Sequence, residues 1–88
     1  MLTGATILKF LSDRNNFDKF YPHLKLSLLS EEIKSLAEGF VDYYQNIEGD
    51  ADLNEYIVWF MYMKDPEASP SKMEVYKDLI KQAQDAAP

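Results

Sequence analysis

The side chains that could do chemistry in this 88-residue sequence are carboxylates and one histidine. Glu38 and Asp42 are four residues apart, so a helix would carry both on one face, where they could hold a divalent cation or act as acid and base. A solvated acidic face explains the same spacing without chemistry. His23 follows Pro22, and the sequence has no second histidine and no cysteine to share a metal ion or a nucleophile with it. We therefore expect His23 to lie in a surface turn.

Acidic residues also alternate at Glu48, Asp50 and Asp52, as they do at the start of a calcium-binding loop. Such a loop ends with a carboxylate at its twelfth position, but the twelfth residue from Glu48 is Trp59 and the twelfth from Asp50 is Met61. Three widely separated glycines cannot build a phosphate-binding loop or a dinucleotide turn. We predict no enzymatic activity, no cofactor and no metal ion for this segment.

Composition favours one small folded domain over residues 1–88. Apolar residues make up 47 % and aromatic residues 14 % of the chain, enough to build a core despite 27 % charged residues. The absence of cysteine excludes a disulfide framework and indicates a reducing, intracellular compartment. The longest apolar run, residues 57–63, is far shorter than the ~20 residues of a membrane span, so we expect no membrane association.

Charge is unevenly distributed along the chain. Residues 1–30 carry four basic and two acidic side chains, whereas residues 31–88 carry five basic and thirteen acidic ones, and the net charge is −6. An acidic surface repels phosphate, so we expect no direct contact with nucleic acid. The excess of acid either keeps a small protein soluble or imitates nucleic acid towards a basic partner.

The strongest helical pattern runs over residues 30–47. Ser30 is suited to cap its first turn, and Gly49 is suited to the left-handed conformation that ends a helix. Gly39, inside the helix, either allows a neighbouring helix to approach closely or is merely tolerated. Apolar side chains recur at three- and four-residue steps on one face: Ile33, Leu36, Ala37, Phe40, Tyr44 and Ile47.

The remaining patterns predict an all-α bundle of four main helices and one short helix. The prolines in residues 65–70 indicate a turn between two helices. The alternating leucines in residues 24–29 indicate an extended coil or a helical turn. Of the other predicted helices, the first runs from a Thr3 cap to about Asp13, and the short one runs from Phe17 to Tyr21 after a cap at Asn15 or Asn16. The next runs from Asp52 to about Lys64. The last begins at a Ser71 cap, and its helical pattern weakens over residues 82–88.

Core positions follow from the same spacing. We expect the apolar residues of the first helix and the aromatic residues of the short helix to bridge helices in the interior. These residues are Ile7, Leu8, Phe10, Leu11, Phe17, Phe20 and Tyr21, and the last helix adds Met73, Tyr76, Leu79, Ile80 and Ala83.

The helix predicted for residues 52–64 is apolar almost all round. Its inner face is formed by Leu53, Tyr56, Ile57, Phe60 and Met63. A surface helix usually carries a polar stripe opposite such a face, so this helix is either central in the bundle or one half of an interface. For the interface we predict the outward residues Glu55, Val58, Trp59, Met61 and Tyr62.

The order of these residues resembles the N-terminal domain of phage-encoded DnaB-like replicative helicases. The resemblance covers nearly all of the chain and rests on an aromatic, acidic and apolar pattern that contains no catalytic signature. The residues that carry it are Ile7-Leu8, Leu11, Asp13-Arg14, Phe17, Phe20, Leu29-Ser30-Glu31-Glu32, Tyr43-Tyr44, Trp59-Phe60, the turn at Pro66, and Val75-Tyr76.

The resemblance implies a helical domain that precedes a RecA-type ATPase, helps to organise its ring and receives partners such as primase or a loader. These 88 residues lack that ATPase, so the resemblance implies either the N-terminal domain of a longer chain or a free-standing relative of one. It also implies a phage-encoded protein in the cytoplasm of a bacterial host. It assigns no docking residues, which come from the helix pattern alone.

We therefore expect a non-catalytic protein–protein interaction or oligomerisation module of a phage DNA-replication helicase. Its partner would be a second copy, a primase or a loader. The alternative is a free-standing small acidic phage protein that binds and inhibits a nucleic-acid-binding factor of the host. Apolar burial would dominate binding in the first case, and steep salt dependence would mark the second.

Overall fold

The computed structural model describes residues 4–86, and the regular structure in that range is helical, with no strand. The prediction of an all-α fold is confirmed, and α2 is the short helix. Two 3-10 turns, Tyr21–His23 and Leu26–Leu28, connect α2 to α3. The α-helices are α1 (Gly4–Leu11), α2 (Arg14–Phe20), α3 (Glu31–Tyr43), α4 (Leu53–Met63) and α5 (Pro70–Asp85).

Two of the predicted helix caps are confirmed. The Ser30 hydroxyl accepts a hydrogen bond from the backbone N–H of Ile33, and Asp52 accepts from those of Asn54 and Glu55. These side chains satisfy backbone donors that have no partner within the helix, which fixes where α3 and α4 begin.

Other predicted helix starts were wrong by a few residues. Asp13 caps α2, so Asn15 and Asn16 lie inside that helix instead of before it. Ser69 caps α5, so the predicted cap Ser71 is already inside the helix. Pro70 occupies the first turn of α5, where the N–H that proline lacks would have no partner within the helix. The Thr3 cap lies outside the described residues.

Helix ends also differ from the prediction. α3 stops at Tyr43, although the apolar pattern continues to Ile47, and Gly49 takes a φ of +77° in the loop beyond it instead of directly at the helix end. In contrast, α5 continues to Asp85, through residues that were predicted to fade out of the helix.

Four helices, α1, α3, α4 and α5, enclose the core, and α2 packs against α1 outside it. α3 contacts each of the other three, which is consistent with its strong amphipathic pattern. Within residues 4–86, seventeen buried apolar residues form the core: Ala5, Leu8, Leu11, Ile33, Leu36, Ala37, Phe40, Tyr43, Tyr44, Leu53, Tyr56, Ile57, Phe60, Ala68, Tyr76, Ile80 and Ala83.

Gly39 allows α3 and α4 to approach closely. A Cβ at this position would overlap the Tyr56 hydroxyl and lie 2.9 Å from Cδ2 of Phe60. The space is used by the fully buried Tyr56, whose hydroxyl donates a hydrogen bond to the Leu36 carbonyl at 2.6 Å. Of the two roles considered for Gly39, close approach is therefore the one that the fold uses.

Three apolar side chains expected in the interior are exposed. Phe10 and Phe20 lie at the surface with their ring centroids 5.1 Å apart, and Met63 at the end of α4 is also exposed. α2 has only two turns, so it brings one aromatic side chain inward. That residue is Phe17, whose ring lies 4.7 Å from the ring of Tyr44.

Arg14 holds the loop that joins α3 to α4. Its Nε donates to the carbonyl of Gly49 at 2.9 Å, and its Nη2 donates to those of Tyr44 and Ile47 at 3.1 and 2.6 Å. Its guanidinium also lies over the Tyr44 ring, and its backbone N–H donates to Asp50. One planar, multiply donating side chain thus satisfies the carbonyls that the early end of α3 leaves free.

We expect Gly39→Ala to lower the free energy of unfolding by about 1–3 kcal/mol, because overpacking against Tyr56 and Phe60 outweighs the ~1 kcal/mol that alanine gains in helix propensity. Urea denaturation followed by circular dichroism measures this. Glu38→Ala, an exposed neighbour in α3, is the control and should change stability by no more than about 0.5 kcal/mol. The cost of Gly39→Ala should be smaller in a Tyr56→Phe background. A stabilising effect of Gly39→Ala would contradict the close-approach role.

We expect Arg14→Lys to lower the free energy of unfolding by about 1–3 kcal/mol, since lysine keeps the charge but cannot bridge three separate carbonyls. The same denaturation experiment measures it, with Lys19→Arg at an exposed position of α2 as the control. An unchanged unfolding midpoint for Arg14→Lys would show that the loop does not depend on the guanidinium.

Candidate protein-interaction surface

The outward face of α4 forms a shallow apolar concavity of about 540 Å³. Val58 and Tyr62 are 65 % and 79 % exposed, so most of each side chain contacts solvent. They share a face because they lie one helical turn apart. The lining residues, here called the α4 surface, are Asn54, Glu55, Val58, Trp59, Tyr62 and Met63.

Trp59 connects the α4 surface to the core. Its ring centroid lies 5.1 Å from that of Tyr43 and 5.9 Å from that of Tyr56, and the side chain is only half-buried. Lys64 Nζ lies 5.8 Å from the centre of the indole ring. Trp59 therefore forms the floor of the concavity and also stabilises the packing of α3 against α4.

Two methionines lie differently from their predicted positions. Met61, predicted at the interface, is partly buried against the core and does not line the concavity. Met63, predicted on the inner face, is exposed and lines it. The helix is apolar almost all round, so periodicity alone could not distinguish these two sides. The other four predicted residues, Glu55, Val58, Trp59 and Tyr62, do lie together.

The charge next to the α4 surface is negative. Burial raises the pKa of Tyr43, and the carboxylates of Glu55 and Asp52 raise it further. Glu55 makes no ion pair with any residue in the described range 4–86. The nearby Lys64 pairs with Asp42 instead. The α4 surface is therefore apolar with an unpaired carboxylate at its edge.

Two of the candidate acid–base residues lie together, since Glu38 and Asp42 line one polar concavity of about 340 Å³ with Lys64, Asp65, Lys72 and Tyr76. Asp42 is held by Lys64, and His23 is exposed in the first 3-10 turn, as expected. Within residues 4–86, no three histidine, cysteine or acidic side chains lie close enough together to hold a metal ion. The spacing of Glu38 and Asp42 thus contributes to a concavity in which carboxylates and lysines lie side by side, and Lys64 and Lys72 pair with Asp42 and Asp65 there.

A second apolar concavity was not predicted from the sequence. It has a volume of about 280 Å³ and lies between α1, α2 and the first 3-10 turn. Phe10 and Phe20 were assigned to the core, where their size and spacing usually place such residues. The lining residues, here called the α1–α2 groove, are Thr6, Ile7, Phe10, Leu11, Phe20, His23 and Leu24.

No protein-family model matches the sequence, and neither the curated proteins nor the solved structures give a significant match. The resemblance to helicase N-terminal domains therefore stays a prediction. Among the described residues, no helix is both long enough and apolar enough to cross a membrane.

Substitutions of Trp59 and Tyr62, the two aromatic residues of the α4 surface, should differ in their effect on the free energy of unfolding. We expect Trp59→Ala to lower the free energy of unfolding by about 1–3 kcal/mol, less than for a fully buried tryptophan, because its side chain is only partly buried against the core. Tyr62→Ser should change it by no more than about 0.5 kcal/mol, since the side chain is mostly in solvent. Urea denaturation followed by circular dichroism measures both. Equal losses for the two variants would contradict this division.

Proposed function

We propose that this chain is a non-catalytic protein–protein interaction module that binds its partner through the α4 surface. The observation that carries the proposal is the exposure of Val58 and Tyr62 beside the half-buried Trp59, although the domain already has a filled core. Exposed apolar patches with aromatic residues are typical of interaction sites, and tryptophan and tyrosine often contribute most of the binding energy.

The chemistry of the α4 surface defines the kind of partner. An apolar concavity accepts large aliphatic or aromatic side chains, whereas the unpaired Glu55 and the nearby Asp52 favour basic residues around them. The partner surface is therefore apolar at its centre and positively charged at its edge. This combination gives affinity through burial and orientation through charge.

As the finer proposal, the module belongs to a phage DNA-replication helicase and acts in the cytoplasm of the bacterial host. The residue order that resembles helicase N-terminal domains supports this, and the all-α fold is consistent with it. In that setting the partner is a primase, a loader or another copy of the chain.

Site-specific photo-crosslinking in the organism that encodes the chain tests the proposal. A photoreactive phenylalanine analogue at position 62 should give a discrete adduct with a partner protein, identified by mass spectrometry. The same analogue at position 75 is the control, because Val75 is also exposed but lies on α5 and does not line the α4 surface. Adding Val58→Ser should reduce the adduct from position 62 several-fold.

Each result of the cross-linking experiment has a distinct meaning. A replication protein as the partner would support the helicase proposal as well as the module. Equal labelling from positions 62 and 75, or none from either, would overturn the role of the α4 surface. Binding to a basic host factor that ignores Val58→Ser but falls steeply with salt would favour the acidic inhibitor instead.

A further inference from the structure

We propose that a free α-amino acid with a large apolar side chain binds where the α1–α2 groove meets a second, charged concavity. This second concavity, here called the charged corner, has a volume of about 470 Å³, and its charged lining residues are Lys9, Asp13 and Asp50. It adjoins the groove because Thr6 and Phe10 line both. The two share no lining residue with the α4 surface, so the inference is independent of the proposed function.

The walls of the charged corner are joined by hydrogen bonds between distant parts of the chain. The corner lies where the loop from α3 to α4 meets the turn from α1 to α2. The backbone N–H of Ala51 donates to the Ser12 carbonyl at 2.8 Å, and that of Arg14 donates to Asp50 Oδ1 at 2.9 Å. Because these contacts hold the cavity in shape without a ligand, a ligand need not order the chain in order to bind.

Both carboxylates of the charged corner are oriented and still offer one oxygen each. Asp13 Oδ1 accepts from the backbone N–H of Asn16 at 3.0 Å, and Asp50 Oδ1 is engaged by Arg14. Within residues 4–86, Oδ2 of Asp13 and Oδ2 of Asp50 form neither a hydrogen bond nor an ion pair. Two such oxygens are the acceptors that an ammonium group requires.

Lys9 brings the opposite charge into the same corner. In the described part of the chain it forms no ion pair with Asp13, Asp50 or any other carboxylate. Positive and negative groups thus line one concavity without pairing with each other. A zwitterion can satisfy both, with its ammonium on the aspartates and its carboxylate on Lys9 Nζ. An α-amino acid carries these two charges on one carbon atom, so its head group is small enough for the corner.

The α1–α2 groove accommodates the apolar part of such a ligand. It has a volume of about 280 Å³, and its walls include Phe10 and Phe20, which are 43 % and 49 % exposed. An aromatic side chain inserted beside this pair gains tilted or edge-to-face contacts as well as burial, and Ile7 and Leu24 add aliphatic surface. The combination of an apolar cavity with a few convergent polar groups is typical of small-molecule sites.

Ligands that carry a single charge would use only part of this arrangement. The N-terminus of a peptide provides an ammonium group without a carboxylate, and the C-terminus provides the reverse. An uncharged apolar molecule would occupy the groove and leave the charged corner unused. The presence of unpaired groups of both signs therefore favours the free amino acid over a peptide end or a neutral compound.

Amide-resolved NMR of the isotope-labelled chain tests this inference, because it detects weak binding and locates it. L-Phenylalanine is the probe. It should shift the amide signals of residues 6–16, 20–24 and 50–51 in a saturable manner and leave those of residues 54–63 unchanged. Phenylalaninamide lacks the carboxylate and N-acetyl-L-phenylalanine lacks the ammonium, so each should bind about fivefold more weakly. Glycine, which lacks the apolar side chain, should produce no saturable shift.

Substitution of Lys9 separates ligand binding from a structural role. Lys9→Met should weaken the binding of L-phenylalanine about fivefold and should make its affinity equal to that of phenylalaninamide, because the carboxylate no longer has a partner. Lys19→Met is the matched control, since Lys19 is exposed on α2 and lines neither concavity. Asp50→Asn keeps an oxygen for the Arg14 N–H and should weaken binding of the ammonium group. Circular dichroism checks that each variant is folded.

Three results would overturn the inference. The first is the absence of saturable shifts up to the solubility limit of L-phenylalanine. The second is equal affinity for L-phenylalanine and both of its singly charged derivatives, which would mean that only the apolar groove binds. The third is tighter binding of phenylalaninamide than of L-phenylalanine, which would indicate a peptide N-terminus instead. None of these outcomes bears on the α4 surface, which the cross-linking experiment tests separately.

Discussion

The close contact between Gly39 of α3 and Tyr56 of α4 is the constraint on which the rest of the structure depends. It allows the Tyr56 ring to stack on Phe40, with centroids 4.2 Å apart, and its hydroxyl to reach the Leu36 carbonyl. The contact also fixes the rotation of α4 about its axis. With Tyr56 and Phe60 turned inward, Val58 and Tyr62 must face solvent. The α4 surface is therefore the face of α4 opposite the face that packs against α3.

Tyrosines supply much of this small core, and their hydroxyl groups donate to backbone carbonyls or, for Tyr76, to a carboxylate. Tyr44 donates to the Leu11 carbonyl and Tyr56 to the Leu36 carbonyl, each at 2.6 Å, and Tyr76 donates to Asp65. Burial raises the pKa of both Tyr44 and Tyr56, so these groups stay protonated as donors. In the described range, no buried side-chain nitrogen or oxygen lacks a hydrogen-bond partner. Large rings thus provide apolar area without leaving polar atoms unsatisfied.

The parts of the fold that could be read from the sequence are those set by local interactions. Ser30 and Asp52 begin their helices as predicted, because a cap involves residues only two or three positions apart. Phe10 and Phe20 were misplaced because their burial depends on how α2 lies against α1, which no local pattern records. Arg14 was also missed as a structural residue. The acceptors of its side chain lie 30 or more residues away and are main-chain oxygens, which have no signature in a sequence.

The way Arg14 holds the α3–α4 loop bears on how this sequence can diverge. Ile47 packs against the core, and the Asn46 side chain donates a hydrogen bond to the Asp42 carbonyl. Arg14, by contrast, contacts main-chain carbonyl groups, which every residue type possesses, so the exposed side chains at positions 45 and 48 contribute little to the loop. Substitutions should accumulate there while Arg14 is retained. A related chain could thus share this loop conformation with little identity at these exposed positions, provided that it keeps Gly49, with its φ of +77°, and Asp50, which accepts from the Arg14 backbone. The relationship between two such chains would then be recognised at positions outside the loop that determine its packing and that of α3 against α4, such as Arg14, Gly39 and Tyr56.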